Sequence, residues 1–409
     1  MLLTFKLAWR NLWRQPRRTW LTTGAIVFSN TLLIMMISLQ FSMYRLMIDN
    51  TLSAFTGHMQ VQAPGYLDDK KMRQDVPDVR SLANDLREAT GLQSVGARAT
   101  GFAFASSEDR SYGIQVFGVQ PEFEPQVSTI PGLVKEGRFF ADEMAPEIMI
   151  GTLLARNLKV QVGDEITLMG SGKDGSFAAG IVTVAGIFES SIAELDRNIA
   201  EVPLGYFQET FYMEGGGHEI VITAPDLFLA PQVQQTVEAA LEGRDDVVVH
   251  DWDALQPGLQ QGIQADMAGS WFMYGVLVIL VAFSVLNTQL MSVLERTREF
   301  GITMALGLTP GRLGRLVILE TALLGGMGLL LGMLCGAALV TWLGQVGFSY
   351  PGMEDMADRF NLPGRVYPQI SLLSLMIGPV IVFIGSMLAS LYPALRLHWL
   401  QPVSAMRAA

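Results

Sequence analysis

The sequence predicts a membrane protein with four transmembrane α-helices and an α+β domain inserted between the first and the second. Three observations carry this. Half of the 409 residues are hydrophobic and the mean hydropathy is positive, +0.33. Four apolar stretches (20–48, 268–294, 313–343 and 370–394) can each cross a ~30 Å hydrocarbon core at about 1.5 Å per residue. The acidic residues crowd into one interval: Asp49 to Ala265 holds 32 Asp and Glu against 14 Lys and Arg, an excess larger than the net charge of −11 of the whole chain. No run in that interval could span a bilayer, so 49–267 reads as a folded domain outside it.

Residues 1–19 contain Lys6, Arg10, Arg14, Arg17 and Arg18 and no acid. On a helix, Leu2, Phe5, Trp9, Leu12 and Trp13 form one face and Lys6, Arg10, Arg14 and Arg17 another, the pattern of an amphipathic helix on an anionic leaflet. A signal peptide also begins basic. The apolar stretch that follows is too long for one and no small-residue cleavage site closes it, so 20–48 is read as an uncleaved first span. It carries Asn30, Ser38, Gln40 and Ser42. Polar groups in a span face other helices or a cavity, or, for the serines, bond their own backbone. Asn30 and Gln40 are therefore candidates for a cargo or dimer interface.

Within the inserted domain, His58 to Gln62 alternates like a strand, Val79 to Ala89 reads as helix, and Thr100 to Ala105 and Tyr112 to Val119 as strands about a turn. Glu147 to Gly151 precedes a helical Thr152 to Leu158, and the segments 162–168 and 181–188 form a hairpin. A second compositional part, about Leu204 to Asp251, reads helix, strand, helix, strand. Gly170-Ser171-Gly172-Lys173-Asp174-Gly175 fails as a phosphate loop, because position 167 is Thr and position 174 is Asp; it is a hairpin turn. His58, His218, His250 and His398 show no metal spacing. No nucleophile elbow occurs. Asp68-Asp69 and Asp245-Asp246 read as solvated surface. With pI about 4.9, nucleic acid is excluded as a partner. The lone Cys335 forms no intrachain disulfide. The chain is expected to have no catalytic or metal site and to bind no cofactor itself.

The second span ends in Asn287-Thr288-Gln289, of which Asn287 and Gln289 are further interface candidates. A charged, then amphipathic segment, 295–312, follows. Phe300, Met304 and Leu308 fall four apart, and Thr309-Pro310 marks the start of the next helix. The third span has one charge, Glu320, near its start. Gly328, Gly332 and Gly336 in it make consecutive small-residue steps that admit another helix. A loop, 344–369, carries Glu354, Asp355 and Asp358. The fourth span and a short tail, 395–409, with Arg396 and Arg407, complete the chain. The basic flanks at the N-terminus, at 294–315 (Arg296, Arg298, Arg312, Arg315) and in the tail put both termini in the cytoplasm and the acidic domain outside, in the periplasm if the cell has one.

Glu295-Arg296-Thr297-Arg298-Glu299-Phe300-Gly301-Ile302, followed by Ala305-Leu306-Gly307, resembles the cytoplasmic coupling segment of the FtsX/MacB/LolC-LolE-like ABC transporter permeases, the type VII or mechanotransmission transporters. The third-span run from Ile318 to Gly332 and the ending Tyr392 to Arg396 with Pro402 to Arg407 resemble the same family. So does the order Gly137-Arg138, Ile148 to Gly151, Val162 to Leu168, Val182 to Phe188. The resemblance is closest to the lipoprotein-releasing LolC/LolE type. It implies a bacterial inner-membrane protein moved by a cytoplasmic ABC ATPase subunit that carries the ATP and Mg²⁺. It implies docking of that ATPase at Glu295, Arg296, Arg298, Glu299, Phe300, Gly301, Met304, Leu306 and Gly307. A second permease, self or paralogue, and a periplasmic lipoprotein or lipid carrier are implied partners, besides membrane lipids. The cargo is expected to be a lipoprotein or another amphipathic molecule. A MacB-like exporter of drug or peptide, an FtsX-like regulator of a cell-wall hydrolase, and a membrane-anchored sensor or assembly factor are the other readings.

Overall fold

The structure, a computed structural model, describes residues 2–190, 192–227, 229–349, 351 and 364–399. Glu354, Asp355, Asp358 and the ending Pro402 to Arg407 lie outside the described residues, as does the side chain of Leu2. The chain divides into two compact units: Met1–Tyr44 with Ile263–Pro351 and Arg365–Ala409, and Arg45–Gly262 with Gly352–Gly364.

The first unit is helical. A short helix, Leu2–Leu12, precedes, among the described residues, four helices long and apolar enough to cross a membrane. The spans are the helices Pro16–Thr51, Pro257–Glu295, Pro310–Val346 and Leu372–Arg396. Three begin with proline, whose missing N–H costs nothing in a first turn. The fourth begins with a Ser371–Ser374 capping box. The helix ends differ from the expected bounds at every span, the third helix running Pro310–Val346 against 313–343 and the fourth Leu372–Arg396 against 370–394. The N-terminal helix, expected over 1–19, stops at Leu12, and the first span begins at Pro16 rather than at Trp20. The second span starts at Pro257, ahead of its apolar run, because polar residues extend a helix freely once it is nucleated.

The bundle core is Ile26, Leu33, Ile37, Val281, Val285, Leu324 and Val382, joined by Leu12 of the N-terminal helix. Gly328, Gly332 and Gly336 face the first span. A Cβ at Gly328 would lie 2.5 Å from Ile26 Cγ2, at Gly332 2.5 Å from Asn30 Cβ, and at Gly336 2.7 Å from Ile34 Cδ1. Partner numbers rise together in steps of four, so these two helices run parallel.

The second unit holds, among the described residues, a ten-stranded sheet. Its strands are β1 Met59–Gln62, β2 Val95–Ser106, β3 Ser111–Val119, β4 Val134–Gly137, β5 Glu147–Gly151, β6 Glu165–Ser171, β7 Phe177–Phe188, β8 Ile199–Pro203, β9 Glu219–Ile222 and β10 Val248–Asp251. The order is β10-β1-β9-β2-β3-β8-β5-β7-β4, with β6 pairing β2 and β7. The β3–β8 and β5–β7 pairs are parallel and the rest antiparallel. The two compositional parts are therefore not separate: β9 and β10 flank β1, and β9 pairs with β2. The β6–β7 hairpin forms as expected. Strand β8 was not anticipated, because Glu201 and Pro203 interrupt its apolar pattern, yet all five of its residues are buried.

At the root of the first span, Leu52–Thr56 is a π-helical turn. Gly57 closes it at φ +73°, where a Cβ would meet Val221 Cγ1 at 2.4 Å. The buried Arg98 donates to the Phe55 carbonyl at 2.6 Å and pairs with the equally buried Glu124.

Candidate functional site

The segment between the second and third spans forms its own helix, Thr297–Ala305. The expected coupling helix of 295–312 is thus shorter at both ends. Glu295 closes the second span, and Arg296 breaks the helix at φ −98°, ψ 9°. At the far end Gly307 adopts φ +99°, which ends the helix and favours glycine. Thr309 is extended at the N-cap position and Pro310 opens the third span, although the Thr309 hydroxyl caps nothing.

One face of this helix packs inward. Phe300 is 3% exposed and clusters with Val293, Leu313, Val317 and Leu397, with Met304 against the cluster; Gly301 is buried beside it. Phe300 therefore ties the helix to the ends of the second, third and fourth spans. Leu308 leaves the face expected for it: the helix has already ended and its side chain is exposed. The opposite edge presents Arg298, Ile302 and Leu306 to the outside, Leu306 with 78% of its surface free.

The charged residues beside it are engaged within the chain. Arg14 makes a two-point pair with Glu299, at 3.0 Å and 2.9 Å. Arg18 reaches Glu295 at 3.2 Å and the Ser292 hydroxyl at 2.8 Å. Arg296 donates to Glu320 at 3.0 Å and lies 5.0 Å from the Phe300 ring centroid. Asn11 donates to the same Glu320 oxygen at 2.7 Å. The hydrogen bond from Arg14 lowers the Glu299 carboxyl below the usual carboxylate range. These groups line a polar cavity of about 230 Å³ that also takes in Gln289.

The other residues singled out from the sequence fall in three settings. Asn30 is fully buried and donates to the Gly328 carbonyl at 3.2 Å. Gln40 bonds Ser270 and Tyr274 of the second span. Both make helix contacts inside this chain. Gln289 is buried against the cavity, whereas Asn287 is exposed. Asn287 lies on a stripe with Phe272, Val276, Leu280 and Phe283, all exposed.

In the inserted domain Gly170 and Ser171 end β6 and Gly172 to Gly175 lie in the β6–β7 turn, with Lys173 paired to Asp75 at 2.6 Å. Among the described residues no group of three His, Cys, Asp or Glu could hold a metal. His218 is a core residue: its Nδ1 accepts from the Thr100 N–H at 2.9 Å, so Nε2 carries the proton toward the Met72 carbonyl at 3.2 Å. Burial pushes its pKa down to about 4. Sequence reasoning missed the buried charge cluster of Arg98, Glu124 and Glu201. Both Glu201 oxygens lack a hydrogen-bond partner, and burial raises its carboxyl well above the ordinary value. Only the odd acid in an otherwise apolar strand could have signalled it.

The fold and this site define a class: a four-span membrane protein with a large inserted α+β domain and a short surface helix wedged among the span ends. The profile of the MacB-like periplasmic core domain matches residues 19–240, and that of the FtsX-like permease C-terminal region residues 271–402. The chain belongs to this FtsX/MacB-type family and is an ABC transporter permease of the LolC/LolE/MacB type in the inner membrane. It is 26% identical over 347 residues to the "Lipoprotein-releasing system transmembrane protein LolC" of Xylella fastidiosa, covering 79% of this chain and 81% of that one. It is 24% identical over 335 residues to LolE of Haemophilus influenzae, covering 79% of each. Similarity to the "Macrolide export ATP-binding/permease protein MacB" of Nitrosomonas europaea is 26% over 373 residues, covering 85% of this chain and 53% of that protein.

Proposed function

We propose that this chain is the moving membrane subunit of a lipoprotein-releasing type transporter, driven by a separate cytoplasmic ATPase. The ATPase carries ATP and Mg²⁺, and this chain contributes no catalytic group. The N-terminal helix and Thr297–Ala305 lie in the cytoplasm and the inserted domain in the periplasm, which the basic flanks support. The observation that carries the reading is the two-sided helix Thr297–Ala305. Its inner face is locked by Phe300 to three span ends, and its outer edge is open at Arg298, Ile302 and Leu306. A push on the open edge is delivered to the spans.

This narrows the ATPase contact from the stretch expected. Phe300, Arg296, Glu295 and Glu299 hold the helix in place, and Arg298, Ile302 and Leu306 meet the motor. The Asn287 stripe supports pairing with a second permease, because an amide on a lipid-facing helix is costly until another helix satisfies it. Amphipathic cargo is supported by the outward sheet face, where Phe102, Phe104, Phe177 and Ile181 are exposed together. Likeness to a macrolide exporter favours outward export of a free small molecule as the second reading.

Arg298→Glu with Leu306→Asp is expected to lower stimulated ATP hydrolysis of the assembled complex by about tenfold or more, within ordinary coupling energies. Hydrolysis at the unaltered rate would remove these residues from the contact. Bound lipoprotein in the purified complex supports release, and an adaptor with an outer-membrane channel supports export.

A further inference from the structure

Between Leu12 and Pro16 the chain turns, and Arg14 sits in that turn, two residues before the first span begins. From there it grips Glu299 in the first turn of Thr297–Ala305. Arg18, in the first turn of the first span, grips Glu295 at the end of the second. Glu320 of the third span receives Asn11 from the N-terminal helix and Arg296 from the break before the coupling helix. The start of the first span is thus joined to the coupling helix without passing through the second span.

We propose that this clasp is a second arm of force transmission, with Arg14 and Arg18 as positioning residues that carry movement of the coupling helix directly to the first span. The inference rests on the reading that an ATPase drives that helix. The covalent route to the second span runs through Arg296, a joint where the backbone leaves helical angles at φ −98°, ψ 9°. The clasp bridges that joint. Stability is not its main contribution: Arg14 and Glu299 are 63% and 47% exposed, and pairs so exposed add little to folding. Their two-point geometry fixes direction, which a transmission element needs. Glu295 and Glu299 are in turn occupied by this chain's own arginines.

The test uses the full-length chain with its ATPase in lipid nanodiscs. Capture of the ATPase is measured first, then the nucleotide-dependent change in hydrogen exchange of the inserted domain. Arg14→Glu is expected to keep capture and the thermal midpoint while shrinking the exchange change by at least about fivefold, the lower edge of ordinary coupling. The reversed pair, Arg14→Glu with Glu299→Arg, is expected to recover to within about twofold, as coupled neighbours do. Exchange in Arg14→Glu equal to the unaltered chain, or no recovery in the reversed pair, overturns the clasp. Failure of the unaltered chain to capture an ATPase instead overturns the functional reading, and the clasp with it.

Discussion

His218 shows how one residue links burial to pH. The folded state holds its pKa at about 4, against 6.5 for the free side chain. The pKa is depressed, so its contribution is intact above about 6.5 and is lost as pH falls toward 4, where only the unfolded chain takes up the proton. The loss is worth about 3 kcal/mol at the acid end. The inserted domain should therefore melt progressively earlier between those pH values, and His218→Asn should flatten that part of the profile. A profile unchanged by the substitution would place the acid sensitivity elsewhere. Arg98, Glu124 and Glu201 make the same point with charge. One guanidinium serves a buried pair beside a second buried acid, and it also donates to the carbonyl of Phe55 in the π turn. None of this was legible in the sequence, since Arg98 is one basic residue among many until the fold buries it.

Elements were more legible than residues. The glycine spacing in the third span announced close approach of another helix, because small residues at steps of four form a continuous groove. It did not announce which helix. Ile26, Asn30 and Ile34 of the first span fill the groove. Gly332→Ala should cost about 1–3 kcal/mol through overpacking against Asn30. Gly326→Ala, with nothing within 4 Å, should be silent in the same thermal melt. The β6–β7 hairpin and the amphipathic coupling helix were also visible, since period two and period 3.6 belong to the local chain. The helix's ends were not: Arg296 and Gly307 set them through backbone angles. Its outward residues emerged only once Phe300 had chosen the inner face.

At the scale of the molecule, the parallel first and third spans require their starting ends on one side of the membrane, with the connection at Thr297–Ala305 on that side too. Charge then chooses the side. In a Cys335→Ser background, Glu108→Cys in the exposed β2–β3 turn should react with an impermeant thiol reagent in cells opened only at the outer membrane. Arg298→Cys should react only after the inner membrane is broken. The reverse pattern would invert the topology and end the proposed docking at Leu306. Transmission from the coupling helix to the inserted domain requires that the two ends prefer different states, and nucleotide can shift the inserted domain only by that difference.

Four crossings, an acidic inserted domain and a surface helix with charged shoulders were settled by the order of residues alone, because hydropathy and charge act on any chain segment wherever the rest of it lies. Which charges pair with one another was settled only in three dimensions. Glu295 and Glu299 read as docking groups along the chain, and in the fold these exposed acids also pair with Arg18 and Arg14 from about 280 positions away. An ion pair depends on distance in space, and sequence separation carries no information about it.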